Sequence, residues 1–301
     1  MKKQLIVIEG STASGKTGVS VALATQLQTV ILSADSRQFY TEIAIGTAKP
    51  SLEEQKGIKH YFIDSHSLKD EVSSAQFEKE ALLILEKEFQ QHDRIVLTGG
   101  SGMFIDALCI GLDKIPSSKE LRDKIQLEYD TNGLIPLTNE LKEKDPEYYN
   151  IVDLKNPMRI IRAIEAIRLS NEKYSDLRKR KPTPRPFDVI RFVLQHPREN
   201  LYKRINERVD IMLEKGLIAE AQNVQHLRQL SSLNTVGYKE LFDYFDGNIS
   251  LNQAVDSIKQ NSRRYAKRQL TWFKRHKEST WIEYTTEEKV VEKIVNQLLT
   301  N

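Results

Sequence analysis

The sequence has one cysteine, Cys109, and no long apolar run among its 301 residues. A single cysteine excludes an internal disulfide and a cysteine-rich zinc site, and its apolar neighbours indicate a small buried residue rather than a nucleophile. No apolar stretch approaches the length of a membrane span. Residues 1–4 lead directly into an apolar segment, so we expect no signal peptide. These absences favour a cytoplasmic protein.

The net charge is also low. The 45 Lys and Arg residues nearly balance the 42 Asp and Glu residues, which leaves a formal charge of +3. The basic residues are nevertheless clustered, because residues 259–277 contain eight Lys or Arg and no Asp or Glu. Such clustering on a nearly balanced chain indicates a surface for a polyanion, with an ordinary solvated face as the alternative. A second basic cluster consists of Arg178, Lys179, Arg180, Lys181 and Arg185.

Short apolar runs alternate with helical patterns in the first part of the chain. This alternation predicts an α/β fold whose parallel sheet is covered by helices on both faces. Ligands of such sheets bind at the carboxyl ends of the strands. Strands are predicted at residues 5–8, 30–32, 61–63, 95–97, 189–194 and 281–284, and helices at residues 73–89, 251–273 and 290–299.

The pattern changes near Gly111. Residues 117–170 have helical spacing and no strong strand signal, and a proline-rich basic stretch follows at residues 181–186. We therefore expect a helical insertion domain at residues 112–186. The α/β core and its C-terminal helices would then comprise residues 1–111 and 187–301.

The first predicted strand leads into a glycine-bounded turn and a helix, with the G-x-x-x-x-G-K-[ST] spacing of a phosphate-binding P-loop. Glycines let several backbone N–H groups point at one anion, and the helix start adds its positive dipole end. Lys16 supplies a point charge for phosphate oxygens, and Thr17 offers a hydroxyl to a phosphate-bound Mg²⁺. A P-loop-type core that binds a diphosphate or triphosphate is therefore predicted. The loop consists of Gly10, Ser11, Thr12, Ala13, Ser14, Gly15, Lys16 and Thr17.

Further blocks of sequence resemble the tRNA dimethylallyltransferases, also called tRNA isopentenyltransferases. The resemblance implies transfer of a dimethylallyl group from dimethylallyl diphosphate, with Mg²⁺, to the exocyclic amine of an adenosine in tRNA. That adenosine lies on the 3′ side of the anticodon. We expect a monomer that does not bind membranes and whose helical insertion contacts the tRNA. Besides the P-loop, the blocks are residues 33–40, 45–50, 99–104, 156–165, 236–240 and 265–273.

The resemblance implies a catalytic role for three residues. Asp35 would be the general base, although it could instead cap the following turn or order Mg²⁺ through water. Ser101 keeps a hydroxyl where the family usually carries threonine, and Lys16 would stabilise the departing diphosphate. Arg208 resembles the diphosphate-side arginine of the family, with a surface salt bridge as the alternative.

Three groups of residues are expected to contact tRNA. Asp35, Ser36, Arg37 and Gln38 would contact an unstacked anticodon-loop base, whose edge Ser36 and Gln38 are expected to hydrogen-bond. The predicted helix 251–273 has an apolar face, which includes Tyr265, and an opposite basic stripe. The stripe residues expected to bind tRNA are Arg263, Arg264, Lys267 and Arg268. The insertion would contribute Arg159, Ile160, Ile161, Arg162 and Ala163, with core-edge salt bridges as the alternative for its two arginines.

Three other functions remain open at this stage. A small-molecule P-loop kinase explains the P-loop and Asp35, but not the long basic C-terminal region. A nucleotide-switched RNA-binding module would need a strand ending in aspartate, whereas the fourth strand ends at Thr98-Gly99-Gly100. Prenylation of free adenine nucleotides is the third alternative, and the basic surfaces favour a macromolecular acceptor over it.

Overall fold

The computed structural model describes residues 2–70, 72–179 and 181–300. The chain divides into two compact units, Met1–Ile110 with Arg185–Asn301, and Gly111–Pro184. The predicted insertion, residues 112–186, differs from the second unit by one residue at its start and by two residues at its end. Arg180, from the second basic cluster, lies outside the described residues.

A six-stranded parallel sheet forms the centre of the first unit, in the order β3-β2-β4-β1-β5-β6. All strands run in one direction, so their carboxyl ends meet at one edge. The predicted α/β fold with a parallel sheet is therefore confirmed. The strands are β1 (Gln4–Gly10), β2 (Ile31–Ser33), β3 (His60–Tyr61), β4 (Arg94–Gly99), β5 (Asp188–Gln195) and β6 (Thr280–Glu283).

The predicted third strand is shorter than expected. Phe62 has a φ of 64°, in the left-handed region, so the strand ends at Tyr61 and does not reach residue 63. The other predicted strands are present, with bounds that differ by one or two residues.

Helices connect and cover the strands. In the first unit they are α1 (Lys16–Leu27), α2 (Leu52–Gln55), α3 (Ser74–Glu88), α4 (Gly102–Ile110), α10 (Arg198–Glu214), α11 (Leu217–Val224), α12 (Tyr238–Phe245), α13 (Leu251–Phe273) and α14 (Glu287–Thr300). In the second unit they are α5 (Lys119–Asn132), α6 (Ile135–Lys144), α7 (Pro146–Ile151), α8 (Pro157–Ser170) and α9 (Tyr174–Leu177). No helix in the described part of the chain is long and apolar enough to cross a membrane.

The central strand β1 explains why the sheet is buried on both faces. Leu5 and Val7 pack into one hydrophobic cluster, and Ile6 and Ile8 pack into another. All four side chains have no exposed surface. A continuous apolar run is what a parallel strand with helices on both faces requires. The P-loop that follows β1 therefore starts from a rigid position.

The helix α8 supplies the core of the second unit. Ile160, Ile161 and Ala163 have exposed fractions of 0%, 1% and 0% and pack against other buried residues of this unit. The predicted tRNA contact of these three side chains is therefore wrong, because they are almost completely buried in this core. Their role is to hold α8 in place.

A buried carboxylate accounts for Arg162 in the same helix. Glu165 is fully buried and accepts hydrogen bonds from Arg122, Arg162 and the backbone of Ser118. Burial alone would raise the pKa of Glu165, but these donors hold it below its ordinary value. Arg162 also donates to the carbonyls of Ile115 and Pro116 at 3.0 and 2.8 Å. Its guanidinium thus forms the core-edge salt bridge that was the alternative to tRNA contact, whereas Arg159 is exposed.

A buried ionic network ties the sheet to α4 and to the segment after α13. Arg191 on β5 donates to Glu9 at 3.0 Å and to Asp106 at 2.9 Å. Trp272 donates its indole N–H to Asp106 at 2.8 Å. His276 Nε2 lies 2.9 Å from Asp106 Oδ1, an ion-pair distance without good hydrogen-bond alignment.

This network predicts how stability depends on pH. Burial raises the pKa of Glu9 to about 7, and Asp106 raises the pKa of His276. Both groups then bind protons more tightly in the folded than in the unfolded chain, so the free energy of unfolding falls as pH rises. For Glu9 the loss falls between its ordinary pKa of 4.5 and about 7. At about 1.4 kcal/mol per pKa unit, it is on the order of 3 kcal/mol.

The Glu9→Gln variant should remove this part of the pH dependence, because glutamine cannot ionise. Urea unfolding of both proteins at pH 5, 6, 7 and 8 measures it. Glu283→Gln, at an exposed glutamate on β6, is the matched control. Parallel profiles for wild type and Glu9→Gln would contradict the assignment.

Candidate active site

The P-loop has the predicted strand–turn–helix geometry. It starts at Gly10, the end of β1, and Lys16 begins α1. Gly15 has a φ of 87°, where a side chain would be strained and its Cβ would lie 2.6 Å from the ring of Tyr284. A Cβ at Gly10 would lie 2.5 Å from Ser14 Oγ. Both glycines are thus required for the chain to turn tightly enough to direct backbone N–H groups inward.

Within the loop, side chains differ in what they can offer a ligand. Ser11 and Ser14 are buried, so they present their backbone rather than their hydroxyls. Thr12, Ala13 and Thr17 are partly exposed and line the adjoining pocket.

Lys16 lies at the centre of this cradle. Its Nζ donates to the carbonyl of Ser11 at 2.7 Å. Burial lowers the pKa of Lys16 to about 8, Asp35 partly offsets this effect, and Arg208 lowers the pKa further. The charges of Asp35 and Arg208 therefore both act on the lysine.

Arg208 is turned toward the cradle. It lines the same pocket and donates to the carbonyl of Thr47 at 3.4 Å. Burial lowers its pKa, with Asp35 as a partial offset. Among the described residues no carboxylate lies within 4.0 Å of its guanidinium, so the salt-bridge alternative does not describe its position.

A second arginine was missed in the sequence. Arg204, one turn before Arg208 on α10, donates from Nε to the carbonyl of Ala13 at 2.8 Å. Its guanidinium also lies 5.5 Å from the centre of the Tyr284 ring. The sequence could have indicated Arg204, because two arginines four residues apart on a helix share one face.

The segments after β2 and β4 meet beside the cradle. Ser101 Oγ donates to Ser36 Oγ at 3.1 Å and accepts from the Ser36 backbone N–H at 3.0 Å. Asp35 accepts from the backbone N–H of Arg37 at 3.3 Å, which is the turn-capping contact considered above. One carboxylate oxygen is enough for that cap, so capping is compatible with the predicted role of Asp35 as general base. Arg37 is partly exposed and lines the pocket.

Gln38 does not present a free amide. Its Nε2 donates to the carbonyls of Thr47 and Ala48, both at 3.3 Å, and its Oε1 accepts from Ser33 at 3.2 Å. The predicted reading of a base edge by Gln38 does not fit these contacts. The side chain instead supports the loop at residues 43–50.

The predicted helix is present as α13, but the residues on its two faces differ from the prediction. Arg264, Lys267 and Arg268 are exposed as expected. Arg263, which was predicted to bind tRNA from the basic stripe, is partly buried and donates to Asn206 on α10 at 2.6 Å. Its assignment to the exposed stripe is therefore wrong. Tyr265, assigned to the apolar face, is 36% exposed and lines the pocket, but its hydroxyl interacts with Ser101 and Asp35 and is desolvated enough to raise its pKa to about 12.

One carboxylate organises the loop at residues 43–50. Glu220 accepts the backbone N–H groups of Ala44, Ile45 and Gly46 at 2.7, 2.8 and 2.9 Å. It also accepts the hydroxyl of Tyr238 at 2.6 Å. A Cβ at Gly46 would lie 2.5 Å from that hydroxyl, so the close approach requires glycine. Sequence reasoning missed Glu220, since its backbone partners are about 175 residues away in the chain.

The cradle, the two arginines, Asp35 and the 43–50 loop line one open pocket of about 1530 Å³. No group of three His, Cys, Asp or Glu among the described residues is placed to hold a metal ion. The pocket lining includes the Thr17 hydroxyl and the Asp35 carboxylate, together with the carboxylates of Glu54, Asp64, Glu207, Glu240 and Asp243. The lack of a three-ligand cluster among the described residues fits Mg²⁺, which usually keeps several waters and binds through substrate phosphates.

Comparison with known proteins gives a consistent result. The sequence matches the IPP transferase family over residues 38–276. It is 47% identical over 290 residues to tRNA dimethylallyltransferase 1 of Bacteroides fragilis, covering 96% of each chain. It is 48% identical over 282 residues to the protein of the same name from Phocaeicola vulgatus, covering 93% of this chain and 94% of the relative.

Solved structures agree with these relatives. The full-length tRNA isopentenylpyrophosphate transferase of Bacillus halodurans is 35% identical, with a TM-score of 0.74, over 100% of this chain and 96% of that one. A eukaryotic dimethylallyltransferase acting on tRNA is 24% identical, with a TM-score of 0.79, over 93% of this chain and 74% of that one. At that identity the likeness concerns the fold.

The Glu220 contacts give a prediction for the 43–50 loop. In Glu220→Gln an amide N–H₂ faces backbone donors, so at least one hydrogen bond is lost and unfolding becomes easier by about 1–3 kcal/mol. Hydrogen exchange at residues 44–46 should become faster. Glu214→Gln, at an exposed glutamate near the end of α10, is the control. Unchanged exchange at residues 44–46 would show that Glu220 does not hold the loop.

Proposed function

The chain belongs to the IPP transferase family, and we propose that it is a tRNA dimethylallyltransferase acting on the adenosine 3′-adjacent to the anticodon. The motif resemblance to this family is thereby confirmed. The observation that carries the proposal is the convergence of Lys16, Arg208 and Asp35 on one pocket beside the P-loop.

The pocket suits a displacement reaction. The exocyclic nitrogen of adenosine forms a bond to the allylic C1 carbon of the dimethylallyl group while the bond from that carbon to the diphosphate oxygen breaks. The electron pair of the broken bond leaves with diphosphate. Backbone N–H groups of the P-loop, Lys16 and Arg208 stabilise the negative charge that grows there.

The nitrogen must also lose a proton, because its lone pair is delocalised into the purine ring. Asp35 accepts this proton in our proposal. Ser101, which is hydrogen-bonded to the neighbouring Ser36, and Tyr265, which interacts with Asp35, offer hydroxyl groups that would orient the base.

Mg²⁺, bound with the diphosphate, would add positive charge at the leaving group. Thr17 is the residue that would contact it, and the rest of its ligands would be phosphate oxygens and water. Other backbone N–H groups of the P-loop would hold the diphosphate, whereas the N–H of Thr12 is donated to Gln269.

We assign tRNA contact to Asp35, Ser36 and Arg37 in the pocket and to Arg264, Lys267 and Arg268 on α13. Arg159 is the exposed candidate on the insertion unit. Exposed cations bind phosphates without reading sequence. We further propose that the protein is cytoplasmic and monomeric.

Mass spectrometry of tRNA nucleosides tests the proposed activity. Protein, dimethylallyl diphosphate, Mg²⁺ and unmodified tRNA should yield an adenosine that carries one isoprenoid group. Parallel reactions with free AMP, ADP and ATP as acceptors test prenylation of free nucleotides. Phosphoryl transfer from ATP, with no prenylated tRNA, would support a kinase instead.

Asp35→Asn should lower kcat by about 100- to 10,000-fold, because the amide cannot accept the proton. Its affinity for tRNA should stay near that of wild type, since the side chain keeps its size and polarity. Asp243→Asn, at an exposed carboxylate that also lines the pocket, is the matched control. Lost tRNA binding with a preserved kcat would contradict the role of Asp35.

The pKa of Lys16 predicts a pH effect on diphosphate binding. Lys16 is charged below about pH 8 and becomes neutral above it. The ratio kcat/KM for dimethylallyl diphosphate reports the free enzyme and should therefore fall above about pH 8. Lys16→Arg keeps its charge and should not show this fall, whereas Lys293→Arg on α14 should behave as wild type. A wild-type profile that stays flat well above pH 8 would argue against a buried cationic lysine.

A further inference from the structure

Gln269 on α13 joins two loops of the site. Its side chain is buried, with 6% exposed. Its Oε1 accepts the backbone N–H of Thr12 at 2.8 Å, and its Nε2 donates to the carbonyl of Gly100 at 2.9 Å. One amide group thus bridges the P-loop and the turn after β4.

These two loops carry the two halves of the proposed reaction. Thr12 belongs to the cradle that would hold the diphosphate. Gly100 precedes Ser101, which is hydrogen-bonded to Ser36 beside Asp35. Gln269 therefore lies between the part of the site that receives the leaving group and the part that receives the base.

The fit between Gln269 and the turn is tight. A Cβ at Gly100 would lie 2.3 Å from Gln269 Nε2, so the approach requires glycine at that position. The bridge needs one acceptor and one donor on the same planar group. The amide of glutamine supplies both, and asparagine is one methylene shorter.

We propose that Gln269 is a positioning residue for dimethylallyl transfer, which sets the separation between the diphosphate cradle and the turn that holds the acceptor base. The proposal rests on the proposed function. A displacement needs the attacking nitrogen, the carbon and the leaving oxygen in line, and a misplacement of about 1 Å costs about 100-fold in rate. Gln269 lines the pocket, but both heteroatoms of its amide bond to the two backbones, through which it acts.

Gln269 also links this geometry to the surface of α13. The adjacent Lys267 and Arg268 are exposed and belong to the group assigned to tRNA. The helix that would bind phosphates of the tRNA is thus the helix that holds the two loops together.

Gln269→Met tests the bridge, because methionine has a similar length and no amide. We expect kcat to fall by about 10- to 100-fold, while KM for tRNA stays within about twofold of wild type. Hydrogen exchange at the Thr12 amide should become faster, since its partner is lost.

Two variants on the same helix separate positioning from stability. Gln260→Met makes the same change at an exposed residue and should leave kcat and KM unchanged. Phe273→Leu removes buried volume without touching either loop bridge, so it should lower Tm with little effect on kcat. If kcat falls in Gln269→Met and Phe273→Leu in proportion to their loss of Tm, the proposal is overturned.

The remaining outcomes are also decisive. A Gln269→Met variant with wild-type kcat, or with only a raised KM for tRNA, would overturn the positioning role. A wild-type protein without prenylation activity would count against the proposed function. In that case the exchange rate of the Thr12 amide would still test the bridge.

Discussion

The desolvated charge of Lys16 is the interaction on which the site depends. Its ammonium is held against the Ser11 carbonyl, and burial together with the charge of Arg208 lowers its pKa, while Asp35 offsets part of this effect. Two cations in one poorly solvated place cost free energy unless an anion accompanies them. Asp35 supplies only one negative charge, so a diphosphate would neutralise these two cations more fully. The P-loop amides add donors for it without adding further repulsion.

The surrounding structure holds these charges in place mostly through backbone atoms. The carbonyl of Thr47 receives both Arg208 and Gln38, and Glu220 fixes the loop that carries Thr47. Ser101 fixes the turn of Asp35 in the same way. Backbone contacts keep their geometry when a ligand arrives, so little reorganisation is needed as charge develops.

The sequence predicted what depends on local pattern and missed what depends on distant partners. The strands, the P-loop and α13 follow from apolar periodicity and glycine spacing, and the structure contains them. Arg263 and Arg162 were assigned to tRNA by their charge, but each has a partner that no local pattern names. Gln269 and Glu220 were missed for the same reason. Each is a single polar residue on a helix, and its role cannot be recognised until its partners are known. The position of Asp35 was predictable, because a carboxylate after a strand of a parallel sheet must lie at the ligand edge.

Fewer basic residues of α13 than predicted are available to bind nucleic acid. Arg263 is turned to Asn206, and Lys259 pairs with Asp210 at 2.6 Å, so the stripe is narrower than eight basic residues suggest. Arg268 lies 5.6 Å from the ring centre of Tyr265, whose hydroxyl approaches Asp35. A phosphate bound by Arg268 would therefore lie near the reacting base rather than along a remote groove. In the proposed complex, a few cations close to the chemistry would orient the nucleotide, so this arrangement would favour precise placement over strong binding.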